Sequence, residues 1–239
     1  MSVLVVSGTD TGVGKTVVTA ALAALAASRG SSVACIKPAQ TGVSAEQPGD
    51  LDEVSRLSGA RELHEHARFP DPLSPAAAAR RARAAPCDLH RVARSIRGLA
   101  RERRLVLVEG AGGLLVRYDA DGTTIADLAR LLDAPVLVVT RAALGTLNHT
   151  ALTLEALAHR GVAFAGLVVG AWPGRPDVAA RCNIRDLETL AARPLAGALP
   201  EGAAGLDPAE FLAAARAGLG PHLGGAFDAA NFRHEWGGA

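Results

Sequence analysis

The run from Gly8 to Thr16, Gly-Thr-Asp-Thr-Gly-Val-Gly-Lys-Thr, gathers the residue types that bind phosphate. Glycines let the backbone approach an anion closely, and its N–H groups, with the positive end of a following helix, cradle phosphate oxygens. Lys15 would reach the outer phosphates, and the Thr16 hydroxyl would ligate Mg2+. Gly8 to Gly14 is one position longer than the usual GxxxxGK[ST], so Thr9 falls in the first-glycine slot and the loop is a variant form.

A phosphate-bound Mg2+ also takes one or two carboxylates. Glu109 closes the apolar run Leu105 to Val108 and is followed by Gly110, Gly112 and Gly113, which suits a strand end that faces a ligand. Asp50 and Asp52 flank Leu51 at the start of a helical segment. Either could supply a second carboxylate, although a helix dipole alone favours acids there. Lys37 follows another apolar run, in Lys37-Pro38-Ala-Gln-Thr41-Gly42. The chain holds 23 arginines and only two lysines, Lys15 and Lys37. A compact ammonium and a broad guanidinium are not interchangeable among phosphate oxygens, so this scarcity marks both lysines as functional. Lys37 would neutralise charge developing on a transferring phosphoryl or acyl group. Leu144-Gly-Thr-Leu-Asn148-His149 opens a further helix, where Asn148 and the loop amides either read a polar substrate or cap the helix. His64 and His66 have no paired metal spacing, and neither a Gly-x-Ser-x-Gly elbow nor a His-Glu-x-x-His motif occurs.

These residues need a frame that gathers strand ends. Val3–Val6, Val33–Ile36, Leu105–Val108, Val136–Val139 and Leu167–Val169 read as buried strands, with a weaker one at Leu195–Leu199. Helices are expected from Lys15 to about Arg29, Leu51–Leu57, Ala76–Arg83, Leu89–Arg103, Ile125–Leu132, Leu147–His159, Val178–Ala192 and Pro208–Ala217. Such alternation predicts an α/β fold with a mostly parallel central sheet and helices on both faces. One domain over residues 1–220 is expected, with a tail over 221–239 whose Phe227, Phe232 and Trp236 suit docking but whose role is not readable. The stretch from His64 to Pro75 reads as irregular.

A formal net charge of +1 offers no global field to gather nucleic acid or a membrane surface. Cys35, Cys87 and Cys182 are odd in number and widely spaced, which signals neither a disulfide framework nor zinc. No apolar stretch reaches the roughly 20 residues of a membrane span, and a reduced cytoplasmic setting is expected.

The four segments Gly8–Thr16, Lys37-Pro38 with Thr41-Gly42, Glu109–Gly113 and Leu144–His149, in this order, resemble the dethiobiotin synthetase family, over roughly residues 3–200. The resemblance implies a P-loop NTPase-like homodimer in the cytoplasm. It would carboxylate 7,8-diaminopelargonic acid with CO2 and close the ureido ring with MgATP. By that resemblance Gly12, Val13, Gly14, Lys15, Thr16 and Val17 hold the triphosphate, with Asp50, Glu109, Gly110, Ala111 and Gly112 beside it. Thr16, Asp50 and Glu109 hold Mg2+, and Lys15 and Lys37 are catalytic. Thr11, Lys37 and Thr41 contact the diamine or its carbamate, and Gly145, Leu147 and Asn148 serve the substrate of the neighbouring subunit. Gly170 and Ala171 stand where many members carry Asn-Asp to read adenine; they are expected to bind the nucleotide, and nucleotides other than ATP are expected to be accepted. Asp52 is two residues from Asp50 and is the competing metal carboxylate.

A partitioning-type P-loop switch ATPase is the alternative. Such proteins usually carry a second lysine early in the loop, which aligns on Asp10, and an amphipathic membrane or DNA element, which the tail does not show. Amidotransferase-type cyclisation enzymes usually append a glutaminase domain, for which 239 residues leave no room.

Overall fold

A computed structural model of the chain describes residues 2–237. Among the described residues nine strands form: β1 (Ser2–Gly8), β2 (Val33–Lys37), β3 (Gln40–Thr41), β4 (Glu62–Glu65), β5 (Arg68–Phe69), β6 (Leu105–Gly113), β7 (Val136–Thr140), β8 (Phe164–Trp172) and β9 (Gly197–Pro200). The helices are α1 (Lys15–Ala27), α2 (Asp50–Ser58), α3 (Pro75–Ala82), α4 (Leu89–Glu102), α5 (Ile125–Leu132), α6 (Thr146–His159), α7 (Val178–Ala191), α8 (Pro208–Gly218) and α9 (Ala229–Trp236). Seven strands make one sheet in the order β4-β2-β6-β1-β7-β8-β9, and β3 pairs separately with β5. Every strand pairing described is parallel, as short strands joined through helical crossovers require.

The continuous apolar runs follow from burial on both faces. Val5, Val106, Val108, Val136 and Val138 point into one core with α3, α4, α5, α6 and α7. Val6, Cys35, Leu107, Leu137 and Val139, one residue out of step, point into the other with α1, α2 and α8. Each fully buried Val, Leu or Ile side chain contributes about 1.5–3 kcal/mol, so neither layer can detach cheaply. Helix starts are fixed locally: the carboxylates of Asp88, Asp177, Asp207 and Asp228 accept backbone N–H bonds from the first turns of α4, α7, α8 and α9.

One expectation needs correction. The stretch read as irregular from His64 contains the end of β4 and all of β5, because Gln40 and Thr41 offer Arg68 and Phe69 a strand partner that lies 28 residues away. In the tail, α9 lies against α7. Phe232 and Trp236 meet Trp172 edge-on at ring-centroid distances of 4.9 and 6.1 Å, and Arg233 pairs with Glu188 at 2.5 Å. Its amphipathy was too short for periodicity to show, but its aromatic side chains carry the docking.

Candidate active site

β2, β6 and β1 are neighbours in the sheet, so the loops leaving their carboxyl ends converge. The loop after β1 turns into α1 through Gly14, whose φ of 95° is left-handed and open to glycine at low cost. A Cβ on Gly170, at the end of β8, would stand 2.0 Å from the Val13 carbonyl oxygen. Gly170 is therefore glycine because the P-loop rests directly on it, a reason the sequence could not disclose.

A cleft of about 770 Å3 opens over these loops. Thr11, Gly12, Gly14, Lys15, Thr16 and Val17 line one side; Lys37, Thr41, Asp50, Glu109, Ala111 and Gly112 line the other. Val13 and Gly110 lie just behind that surface, buried. Most of the residues singled out in the sequence are thus brought together. Gly145, Leu147 and Asn148 are not: they sit at the start of α6, with Gly145 and Asn148 exposed, outside this cleft. Gly170 and Ala171 also lie outside its lining, Gly170 packed beneath the P-loop and Ala171 exposed.

The Lys37 ammonium is the hub. It donates to Glu109 Oε1 at 2.7 Å and to the Gly110 carbonyl at 3.3 Å, and it pairs with Asp50 Oδ2. Burial acts to lower its pKa, but the facing Glu109 and Asp50 carboxylates outweigh burial and hold it above the ordinary lysine value. Burial likewise acts to raise Asp50, and Lys37 overrides it, holding that carboxyl below its usual range. Lys15 donates to the Asp10 carbonyl oxygen at 3.0 Å. Burial, then repulsion from Lys37, pushes its ammonium down to about 8.

Asp50 and Asp52 are separated by the helix turn. Asp50 faces Lys37, whereas Asp52 accepts the Gly49 N–H at 2.7 Å and caps α2. Gln40, which sequence reasoning passed over, explains the placement: its side-chain oxygen accepts the Asp50 N–H at 2.9 Å and pins the start of α2 beside Lys37. Arg141, also passed over, donates to Asp10 Oδ2 at 3.1 Å and to the Thr11 carbonyl at 3.3 Å, bracing the P-loop from the end of β7. The signal for either is slight, a polar residue within a few positions of a strand end.

The donor set suits Mg2+. Thr16 Oγ1 bonds Glu109 Oε1 at 2.9 Å, and Glu109 Oε2 is buried without a hydrogen-bond partner among the described residues. An uncompensated carboxylate oxygen is costly to bury and calls for a cation. A hydroxyl and two carboxylates are the hard oxygen ligands that Mg2+ takes together with phosphate oxygens.

Fold and site together define a P-loop nucleotide-binding α/β protein. Its sheet resembles that of the cell division ATPase MinD from Pyrococcus furiosus, with a TM-score of 0.56 at 20% identity over 84% of this chain and 83% of that one. It also resembles a ParA family ATPase from Chlorobium tepidum, with a TM-score of 0.54 at 15% identity over 89% and 91%. At such identities the likeness concerns the fold alone. A family model described as an AAA domain matches residues 2–206. Two curated proteins named ATP-dependent dethiobiotin synthetase BioD align nearly end to end. That of Parafrankia sp. (strain EAN1pec) is 64% identical over 99% of both chains, and that of Streptomyces coelicolor 57% identical over 97% of this chain and 98% of its own. The chain belongs to the ATP-dependent dethiobiotin synthetase family of ligases. Among the described residues no helix is long and apolar enough to cross a membrane.

Proposed function

We propose that this chain forms dethiobiotin: it carboxylates 7,8-diaminopelargonic acid with CO2, drawn from bicarbonate, and closes the ureido ring at the expense of ATP, releasing ADP and phosphate. The observation that carries the reading is the buried Lys37 ammonium, set between Glu109 and Asp50 in the same cleft as the P-loop. An amine of the substrate attacks CO2 and loses a proton to give a carbamate. A carbamate oxygen attacks the γ-phosphorus and ADP departs; the second amine then attacks the carbamoyl carbon and phosphate departs. Each step moves anionic charge between oxygens, which buried cations and amides stabilise without a protein nucleophile.

In this reading Lys15 and Lys37 hold the charge of the γ-phosphoryl group and the carbamate, while Thr11 and Thr41 contact the diamine. Thr16, Asp50 and Glu109 hold Mg2+, which when bound supplies charge neutralisation on the nucleotide phosphates. Gly145, Leu147 and Asn148 serve the cleft of a second copy in a homodimer. The exposure of Gly145 and Asn148, and of Leu144, 84% accessible, supports that assignment. Nucleotide choice is loose, because Gly170 is committed to the P-loop and Ala171 offers no polar side chain to a base. The reaction belongs to the cytoplasm.

The test is phosphate release by purified protein with MgATP and bicarbonate, with and without the diamine, followed by mass analysis of the product. Diamine-dependent release with dethiobiotin formed is expected. Release indifferent to the diamine, or responsive to membranes or DNA, would favour the partitioning-type switch ATPase.

A further inference from the structure

Lys37 meets the Gly110 carbonyl oxygen, and the N–H of the same peptide unit, belonging to Ala111, donates to the Tyr118 hydroxyl at 2.8 Å. One planar group is therefore held at both edges, by the ammonium on its oxygen and a phenol on its nitrogen. Tyr118 is the chain's single tyrosine and is fully buried. A short turn presents it: Tyr118 N–H donates to the Thr123 carbonyl at 2.8 Å, and Arg117 bridges Thr124. The Arg117 carbonyl in turn accepts the Ala76 N–H at 3.1 Å, tying this turn to α3, whose first residue, Pro75, lines the cleft.

Gly110 supplies the carbonyl half of the clamped unit, and Gly112 follows its Ala111 half. Their conformational freedom leaves this peptide easy to rotate unless something fixes it. Rotation would remove the carbonyl from Lys37 and turn the Ala111 N–H toward the cleft. An ammonium has three donors, and Lys37 spends them on Asp50, Glu109 and Gly110, so the third contact decides where it points.

We propose that Tyr118 is a positioning residue for Lys37: its hydroxyl locks the Gly110–Ala111 peptide so that the Gly110 carbonyl holds the ammonium in place. This assignment rests on the reading of Lys37 as catalytic. It also commits the Ala111 N–H inward to Tyr118, away from a bound nucleotide.

Tyr118→Phe keeps the ring and removes only the oxygen. Diamine-dependent phosphate release, measured well below the melting temperature, is expected to lose about tenfold in kcat with the nucleotide KM changed by less than about twofold. A purely structural hydrogen bond would lower stability and leave kcat at the wild-type value, which would overturn the proposal. A second measurement does not depend on that variant folding or on the diamine. Fluorotyrosine incorporated throughout the wild-type chain gives one fluorine resonance, from Tyr118, and it should shift when Mg2+ and an unhydrolysable ATP analogue bind. A resonance indifferent to that saturating complex also overturns the proposal. If wild-type protein releases no phosphate with the diamine, the proposed function fails while the fluorine measurement still decides the link between Tyr118 and the cleft.

Discussion

The P-loop side of the cleft and the β2–β6 side treat a buried ammonium in opposite ways. Lys37 has two carboxylates and a carbonyl within reach, and they outweigh burial. Lys15, 7% exposed, rests on one backbone carbonyl, and burial and the neighbouring Lys37 push it down to about 8. A cation compensated inside the fold is a fixed electrostatic wall, whereas a cation denied water and short of counter-charge gains most from an anion that arrives. The first is suited to stabilising charge that moves during reaction, the second to gripping phosphate.

The largest expected effect comes from breaking the compensated side. Lys37→Arg should lower kcat on the order of 10²–10³-fold while leaving nucleotide affinity within a few fold, because the closed site cannot seat a planar guanidinium on the same three acceptors. Steady-state kinetics beside calorimetric nucleotide titration would check it, and wild-type turnover would end the argument from lysine scarcity. Asp50→Asn should raise the Mg2+ concentration for half-maximal activity about 10–100-fold, as loss of a metal-site partner does. Asp52→Asn is the control: Asp52 caps α2 and faces Arg68 at 4.0 Å, so a Mg2+ titration that responds to Asp52 instead would reverse the assignment.

Lys15→Met sharpens the other side. In the metal- and nucleotide-free protein it should raise stability by about 2 kcal/mol at pH 7, since a shift from 10.5 to about 8 means that folding disfavours this ammonium. The unfolded chain holds more protons than the native one between those two values, so wild-type stability rises with pH across that window. The advantage of the variant therefore shrinks from pH 8 to 10.5, which urea melts at several pH values would reveal. Nucleotide binding should be lost in the same variant. Arg141→Ala should do least: the pair with Asp10 is 42% and 45% exposed, so it is worth about 0–1 kcal/mol and a few-fold in nucleotide KM.

Much of this site was legible because its parts are local. A strand, a glycine-rich turn and Lys15-Thr16 are contiguous, and two lysines among 23 arginines stand out without any coordinates. Gln40, Arg141 and Tyr118 were not legible, because each acts on residues fixed only by folding. Gln40 reaches Asp50 across ten positions, Arg141 reaches Asp10 across 131, and Tyr118 joins Lys37 through a peptide unit. The aromatic contact of α9 with Trp172 spans 60 residues or more: the aromatic residues of the tail signal docking, but only folding supplies the partner.

The parallel α/β class, the phosphate loop and the singling out of Lys15 and Lys37 were all readable before folding is considered. Each depends on short-range chemistry: alternation of apolar and helical segments, glycine beside an anion site, and an ammonium retained where arginine is otherwise used. The tertiary structure decided that Asp50 faces the site and Asp52 caps a helix, that Gly170 serves the P-loop, and that Lys37 is held from three sides. Strand order settles the last of these, and local contacts of Gln40 and Val13 settle the other two. Placing β6 between β2 and β1 puts Glu109 beside Lys37 and Thr16, and periodicity along a chain specifies which face is buried but not which strand becomes its neighbour.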